Sequence, residues 1–200
     1  MIRAQTEPPV RLAPPGKGLP LIERLLAKYI LLPKMTRKLD ANGAKIFFEK
    51  ETQKILTLAE SVSPEHFQKP ILIDRLGGLE DSSRFWSVEM TLEHLVIVAN
   101  AMDILIRDLL AGRHPSLQVD IAKVKPHGGA NDKAAVIATF RTQMMDLINK
   151  HPSIVGDSSV MHPHPWFGAI DAHTWMVVRA LHQRIHRKQI ENIIRGLNLL

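Results

Sequence analysis

The amino-acid sequence predicts an all-α protein, a four-helix bundle that carries a short amphipathic extension at its N-terminus. Apolar residues recur at helical spacing in four long segments, and each segment is bounded by capping residues, glycine or proline. No run of residues alternates between apolar and polar in the way that a half-buried strand requires, so we predict no sheet. With 45% hydrophobic and 23% charged residues, the chain has the composition of an ordinary globular domain.

Residues 1–40 are predicted to lie outside the bundle, which takes up residues 41–200 as a single domain. Residues 1–18 are polar and rich in proline, which predicts a flexible arm. Residues 19–38 mix apolar clusters with lysine and arginine, which predicts a short amphipathic helix. We expect this helix to break at Pro33, because proline lacks the N–H that a helix interior requires. The helix either packs on the bundle or lies on a membrane surface.

Local signals delimit the helices of the bundle. Ser87 is predicted to cap the second helix, and either Asn131 or Asp132 the third, because short side-chain oxygens accept hydrogen bonds from a first turn. The run Ser63-Pro64-Glu65 predicts the start of a short additional helix. The predicted long helices span about 41–62, 88–110, 132–150 and 170–195, with loops at 71–85 and 151–168.

The composition also restricts location and partners. The chain has no cysteine, so it forms neither a disulfide nor a thiolate metal site, and it fits a reducing compartment. Its N-terminus lacks the apolar segment of a signal peptide, and no uncharged apolar run reaches the ~18 residues of a transmembrane helix. We therefore expect a cytoplasmic protein without a membrane span. The net charge of +6 would permit anionic partners, but charge alone identifies none, and a nucleic-acid partner is not predicted.

Three of the ten histidines are predicted to face one core. His182 and His186 lie one turn apart on the last predicted helix, so their side chains share a face, and apolar residues occupy the same face. His94 lies in the apolar stripe of the second helix. The basic residues of the last helix that are predicted to point away from this face are Arg184, Arg187, Lys188 and Arg195.

Two explanations of this histidine cluster stay open from the pattern alone. A buried imidazole without a partner costs about 1–3 kcal/mol, and one divalent metal would satisfy all three rings. Without cysteine, the metal would have only nitrogen and oxygen ligands, and three protein ligands would leave positions for water or substrate, as in catalytic sites. Alternatively, each histidine is a hydrogen-bonded core residue, since ten histidines make chance spacings common.

Other polar residues are candidates for supporting roles. Glu51 shares a face with apolar residues of the first helix and is predicted to point inward, where it would act as a catalytic acid or base. Gln189 lies on the histidine face of the last helix and would orient His186 or a bound water. The residues interpreted as structural are Asp171 at a helix start, and His162 and His164 in loop packing.

Two segments together resemble a known family. Residues 86–95 read WSVEMTLEHL; residues 164–168 read HPWFG and are followed by Trp175 and then by HQRIHRKQI at residues 182–190. These segments resemble the second helix and the final loop and helix of the DinB-like four-helix-bundle superfamily. The resemblance covers roughly residues 41–197.

The resemblance implies that His94, His182 and His186 share a nickel or zinc ion, with waters completing the coordination shell. Members of the family with known activity are mostly thiol-dependent transferases or isomerases, in which the metal activates a low-molecular-weight thiol, and related members are described as metal-dependent hydrolases. It therefore implies a metal-dependent transferase or hydrolase of a small molecule, and, because related bundles often dimerise, a homodimer. Two other functions stay open: a stress-response or binding module with a basic surface and no working metal, and a bundle whose ion is purely structural.

Overall fold

A computed structural model of the chain describes residues 10–116, 120–129, 132–150 and 159–198. Parts of three predictions lie outside these residues: the first nine residues of the proline-rich arm, Asn131 as a helix cap, and most of the first half of the loop at 151–168. None of the helices in the described part of the chain combines the length and the apolar character that crossing a bilayer requires.

The fold is all-α, and four long helices form the bundle. Their bounds agree closely with the predicted ones, and the helices are α3 (Ala41–Ser61), α5 (Val88–Leu110), α6 (Lys133–Asn149) and α7 (Ala172–Gly196). The short helix α4 (Pro64–Phe67) begins after Ser63, as predicted. Caps predicted from sequence are present, since Ser87 Oγ accepts from the Met90 N–H at 3.1 Å and the Asp132 carboxylate accepts from the first turn of α6.

Each bundle helix packs against two others, so that α7 lies between α3 and α5, and α6 lies between them on the other side. Helices α3 and α7 are parallel, because Phe48 lies beside Arg179 and, one turn further along both helices, Thr52 contacts Gln183. Successive side-chain contacts between α5 and α7 run in opposite directions along the two helices, so α5 is antiparallel to α7. Those between α5 and α6 run in the same direction, so α5 and α6 are parallel. Since α5 and α6 are parallel, the chain must return along the bundle between them. The described part of that connection contains a 3₁₀ turn, Ile121–Val124.

The buried apolar residues form two clusters that are separated along the bundle axis. One contains Ile55 and Phe140 together with the C-terminal half of α7, and the other contains Leu105 together with the N-terminal turns of α7. Buried polar side chains form a layer that interrupts the first cluster and reaches its boundary with the second, where Arg179 lies; the other members are Glu51, Thr52, His94, Gln183 and His186. A buried polar layer needs hydrogen bonds or a ligand to offset the free-energy cost of its desolvation. It is therefore the part of the core where a functional site is expected.

The N-terminal helix differs from the prediction at Pro33. The helical stretches α1 (Leu21–Leu26) and α2 (Leu32–Lys38) are joined without a break by a π-helical stretch, Ala27–Leu31. The prediction of a break was wrong because the π turns re-pair the backbone: the Leu32 N–H bonds to the Ala27 carbonyl, five residues back. Residues 21–38 are called the N-terminal helix below.

The prediction of no sheet was also wrong in detail, because two antiparallel ribbons are present. Strand β1 (Ile71–Leu72) pairs with β2 (Phe85–Trp86), and β3 (His162–His164) pairs with β4 (Gly168–Ile170). Strands of two or three residues are too short to show an alternating pattern, and β3 contains Pro163, which is tolerated only at a ribbon edge. The ribbons do not alter the all-α class, but they fix the loops that border the bundle.

The loop between the first ribbon strands packs directly on α7. Gly78 has φ of +85°, which strains any larger residue, and a Cβ atom at this position would lie 2.6 Å from Ile185 Cδ1, so the Ile185 side chain would have to shift. Residues 10–20 lie against the same loop: the Gly18 N–H donates to Glu80 at 2.9 Å and the Ala13 N–H donates to Asp81 at 2.7 Å. The loop is thereby held between the N-terminal residues and the bundle.

Candidate metal centre

The fold brings His94, His182 and His186 together. His94 lies in the second turn of α5, and the other two lie one turn apart on α7, which packs antiparallel to α5. Each ring offers one nitrogen, and these nitrogens all lie within 4.8 Å of one another. His182 Nε2 is 3.3 Å from His94 Nε2 and 3.1 Å from His186 Nε2. The sequence prediction that these three side chains share one core is confirmed.

A backbone carbonyl decides which nitrogen of His94 carries the proton. His94 Nδ1 lies 2.7 Å from the carbonyl oxygen of Val124, at the end of the 3₁₀ turn that follows α5. Because a carbonyl can only accept, His94 Nδ1 must donate, and the proton of the neutral ring is placed on Nδ1. His94 Nε2 therefore presents a lone pair to the other two histidines.

Gln189 fixes His186 in the same way. The Gln189 Nε2 amide donates to the carbonyl of Ser83 at 2.7 Å, so its Oε1 is the atom that faces His186 Nδ1 at 2.6 Å. An amide oxygen can only accept, so His186 donates from Nδ1 and presents the lone pair of its Nε2 to the cluster. The predicted orientation of His186 by Gln189 has this geometry, with Gln189 fully buried.

His182 cannot satisfy both neighbours by hydrogen bonding. A neutral imidazole has one N–H, so His182 Nε2 can donate to at most one of the two lone pairs that face it. At least one buried nitrogen then lacks a donor. A single cation between the three Nε2 atoms would pair with all three lone pairs at once, and it is the group that this donor set fits.

Burial keeps all three rings neutral. Desolvation lowers the pKa of His94 to about 4 and lowers the pKa values of His182 and His186 well below the usual value for histidine, and the neighbouring imidazoles add to the effect on these two. Metal ligation requires the neutral form of histidine, so the cluster is in the ligating state near neutral pH. His182 is half-buried, whereas His94 and His186 are 6% and 3% exposed, so access to the cluster is from the His182 side.

One end of the cluster is closed by Trp86 and a network of charges behind it. The Trp86 ring is nearly parallel to His186, with centroids 6.0 Å apart, and its centroid is 5.0 Å from that of His94. Lys125 Nζ lies 5.4 Å from the Trp86 centroid and donates to Glu80 Oε2 at 3.0 Å. A buried aromatic ring in this place lowers the local dielectric and so strengthens electrostatic interactions inside the site.

Glu51 is buried, as predicted, but it is ion-paired and lies outside the three-histidine group. Its Oε2 accepts from Arg187 Nε, and its Oε1 accepts from Lys54 Nζ at 3.1 Å. Burial raises its pKa, but the hydrogen bonds and charges of Arg187 and Lys54 outweigh this and leave the pKa of Glu51 below its usual value. The helix pattern predicted that Arg187 points away from the core, and this was wrong. Arg187 turns toward the core because the buried carboxylate attracts it.

The remaining predicted residues have structural positions. Asp171 is the N-cap of α7, with its carboxylate accepting from the Thr174 N–H at 2.7 Å, which confirms its interpretation as a helix-start residue. His164 stacks on Phe167 with centroids 4.4 Å apart, and its Nδ1 accepts from the Trp166 N–H. Burial lowers the pKa of His164 to about 3. Neither His164 nor His162 belongs to the group of three, but both lie in strand β3 of the second ribbon and not in the loop that was predicted.

Sequence analysis missed the groups that hold the site from outside. The carbonyls of Val124 and Ser83 leave no signal in a sequence, because every residue has a carbonyl and only the fold selects one. Asp103 and Arg179 were also missed, although both are charged residues at apolar positions of long helices. Arg179 Nη1 donates to Asp103 Oδ1 at 3.2 Å, and Arg179 Nε and Nη2 have no hydrogen-bond partner within the described residues.

Comparisons with known proteins assign no family to the chain. No family model matches the chain, and no curated protein matches it. Among solved structures, the chain is similar to the crystal structure of TT2238, a four-helix bundle protein, with a TM-score of 0.49 and 19% sequence identity. The match covers 76% of this chain and 98% of that chain.

Proposed function

We propose that the chain is a metal-dependent enzyme that holds one nickel or zinc ion with His94, His182 and His186, and that it performs thiol transfer or hydrolysis on a small molecule. The observation that supports this most strongly is the pair of fixed tautomers. His94 and His186 each donate a hydrogen bond from Nδ1 to an acceptor outside the cluster, and each directs an Nε2 lone pair toward His182. Two aligned lone pairs beside a third imidazole are poor as a hydrogen-bond network and good as a ligand set.

Nickel and zinc fit the chemistry of the donors. Imidazole nitrogen is a common ligand of both ions, and three nitrogens leave coordination positions for water or substrate. When bound, such an ion supplies Lewis acidity, which lowers the pKa of a coordinated water or thiol and polarises a carbonyl. The DinB-like resemblance adds the reaction class, because members of that family with known activity use a low-molecular-weight thiol or hydrolyse their substrate.

The chain's own residues would orient the histidine rings and exclude water from the site. Gln189 and the Val124 carbonyl hold two of the rings in the ligating orientation. Trp86 keeps water from one end of the cluster, so that substrate enters from the half-buried side at His182. Glu51 stays our candidate for the catalytic carboxylate. Its lowered pKa keeps it ionised near neutral pH, so it would accept a proton and not donate one, and Arg187 would hold it in place.

The alternative is a non-catalytic stress-response or binding module that uses the basic surface. It requires no metal and would tolerate loss of the histidines, and its affinity for an anionic partner would fall steeply with salt. The convergence of the three imidazoles favours the enzyme. A cytoplasmic location and a homodimer stay predictions.

The test is a substrate screen with a matched histidine control. Purified protein loaded with zinc or nickel is assayed with a low-molecular-weight thiol plus an electrophile, and with ester and amide substrates. The test variant is His94→Ala/His186→Ala, and the control variant is His66→Ala/His127→Ala, which removes two histidines outside the cluster. We expect turnover that is lost with chelator and in the test variant but kept in the control. Turnover that survives both chelation and the test variant would contradict the proposal.

A further inference from the structure

The N-terminal helix exposes an unusual amount of apolar surface. In the described part of the chain, eleven large hydrophobic side chains are exposed, and seven of them lie within residues 21–31. The seven are Leu21, Ile22, Leu25, Leu26, Tyr29, Ile30 and Leu31, with exposed fractions from 44% to 74%. The other four, Val10, Ile46, Ile104 and Met161, are scattered over the chain. Single exposed apolar residues are ordinary on a protein surface, but a contiguous group marks a contact surface.

These side chains form a stripe. Six of the seven follow the spacing of adjacent pairs repeated every fourth residue, which places them along one side of a helix. The stripe is not needed to attach the helix, because attachment is made at the other end by Leu32, which is 6% exposed, and by the partly buried Met35 and Leu39. The second half of the helix is thus held on the bundle, and the first half presents its apolar side to the outside.

Positive charges accompany the stripe. The N-terminal helix contains five basic residues and a single acidic residue, Glu23. The carboxylate of Glu23 is turned toward the body of the protein, where it accepts from Arg75 and from the Gly78 N–H at 2.5 Å. The basic residues are Arg24, Lys28, Lys34, Arg37 and Lys38, and all but the half-buried Lys28 are exposed. The outer side of this helix therefore combines apolar and cationic groups.

We propose that the N-terminal helix docks on the surface of an anionic lipid bilayer, lying in the plane of the membrane with its apolar stripe in the boundary between headgroups and acyl chains. Stable surface binding requires two attractions, and this helix offers both buried apolar area and basic groups that meet anionic headgroups. A second copy of the chain fits this surface less well, because a two-fold contact through the stripe would bring two sets of five basic residues together. The proposal is independent of the metal centre.

The experiment is flotation of the full-length protein with two kinds of vesicle, phosphatidylcholine alone and phosphatidylcholine with phosphatidylserine. The apolar variant is Ile22→Gln/Tyr29→Gln/Ile30→Gln. Its matched control removes exposed apolar residues elsewhere, Ile46→Gln/Ile104→Gln/Met161→Gln. The charge variant is Arg24→Gln/Lys34→Gln/Arg37→Gln, and its control is Arg184→Gln/Lys188→Gln/Arg195→Gln on the outer side of α7. Circular dichroism confirms the helical fold of each variant, and light scattering gives its oligomeric state.

We expect the wild type to float with the anionic vesicles only. The apolar and charge variants should each lose at least about tenfold in partitioning, whereas both controls should bind as the wild type does. Absence of wild-type binding to anionic vesicles would overturn the proposal, and so would equal loss in a variant and its control. Self-association that disappears in the apolar variant, without vesicle binding, would assign the stripe to a second copy of the chain instead.

Discussion

At the scale of single residues, the protonation of the histidines follows from what lies behind them. The Val124 carbonyl and the Gln189 amide each take the Nδ1 proton of a ring, at 2.7 and 2.6 Å, so the Nε2 lone pairs converge. The presence of His94, His182 and His186 in one core could be predicted from helix periodicity. Their tautomers could not, because the acceptors belong to a 3₁₀ turn and to a loop that only the fold brings near.

Buried neutral histidines make the stability of the metal-free protein depend on pH. His94 has a pKa of about 4 in the folded state against 6.5 for a free histidine, so the unfolded chain binds the proton first as the pH falls. The stability that His94 contributes is complete above about pH 6.5 and is lost progressively toward about pH 4. With chelator present, we expect the titration of His94 alone to lower the free energy of unfolding by about 1 kcal/mol when the pH falls from about 7.5 to about 5.5.

Urea denaturation at the two pH values checks this. The free energy of unfolding of the wild type should fall as the pH falls, and that of His94→Gln should fall by about 1 kcal/mol less. An identical pH dependence in the two proteins would show that His94 titrates normally and is not buried as a neutral ring.

Gln189 should control metal affinity without being a ligand. Gln189→Met removes the acceptor for His186 Nδ1 while keeping a side chain of similar volume, and we expect metal affinity to fall about 10- to 100-fold. The control is Gln183→Met, since Gln183 is equally buried on the same helix but donates to Thr52 Oγ1 at 2.9 Å. Competition with a chromophoric chelator measures both. A loss of the same size in the control would mean that general damage to α7, and not the orientation of His186, is responsible.

At the scale of elements, an ion pair in the buried polar layer joins α5 to α7. Arg179 is 2% exposed, it donates to Asp103 Oδ1, and its guanidinium lies 5.0 Å from the centroid of Phe48 on α3. Three bundle helices therefore meet at one buried guanidinium. A buried pair of this kind adds little net stability, but removing one partner leaves a charge without compensation.

Asp103→Asn should therefore destabilise the fold by about 3–5 kcal/mol, and Asp103→Asn/Arg179→Met should recover much of that loss. Asp108→Asn is the surface control, because Asp108 pairs with the exposed Arg113 and should cost less than about 1 kcal/mol. Chemical denaturation gives all three free energies. If Asp103→Asn cost no more than Asp108→Asn, Arg179 would not depend on Asp103 for its compensation.

Element boundaries show where sequence reasoning succeeds. Ser87, Asp132 and Asp171 could be identified as helix starts because a capping bond involves residues only two or three apart. The effect of Pro33 was misjudged because it depends on the π-helical stretch Ala27–Leu31 just before it, which shifts the backbone pairing so that the helix continues. The two ribbons were missed because strand pairing in segments of two or three residues is decided by tertiary contacts.

At the scale of the whole molecule, the bundle contains two apolar clusters, and the polar layer that includes the candidate site interrupts the first of them. The loop that carries Ser83 is held on the bundle by Gly78 and against the N-terminal residues by Glu80. Burial raises the pKa of Glu80, but Lys125 and the backbone N–H groups of Gly16 and Gly18 lower it by more than burial raises it. The pKa therefore lies below its usual value, and this carboxylate stays ionised. Residues 10–20 thus hydrogen-bond to the loop whose Ser83 carbonyl holds Gln189 beside the site. No local sequence pattern predicts this connection.

Metal content tests the central claim, that the three imidazoles form a metal site, most directly. The wild type, His94→Ala/His186→Ala and His66→Ala/His127→Ala are each dialysed against zinc or nickel, freed of loose ions, and analysed by mass spectrometry for bound metal. We predict about one equivalent in the wild type and in the control, and close to none in the variant that lacks His94 and His186. Absence of bound metal in the wild type, or equal metal in all three proteins, would contradict the account.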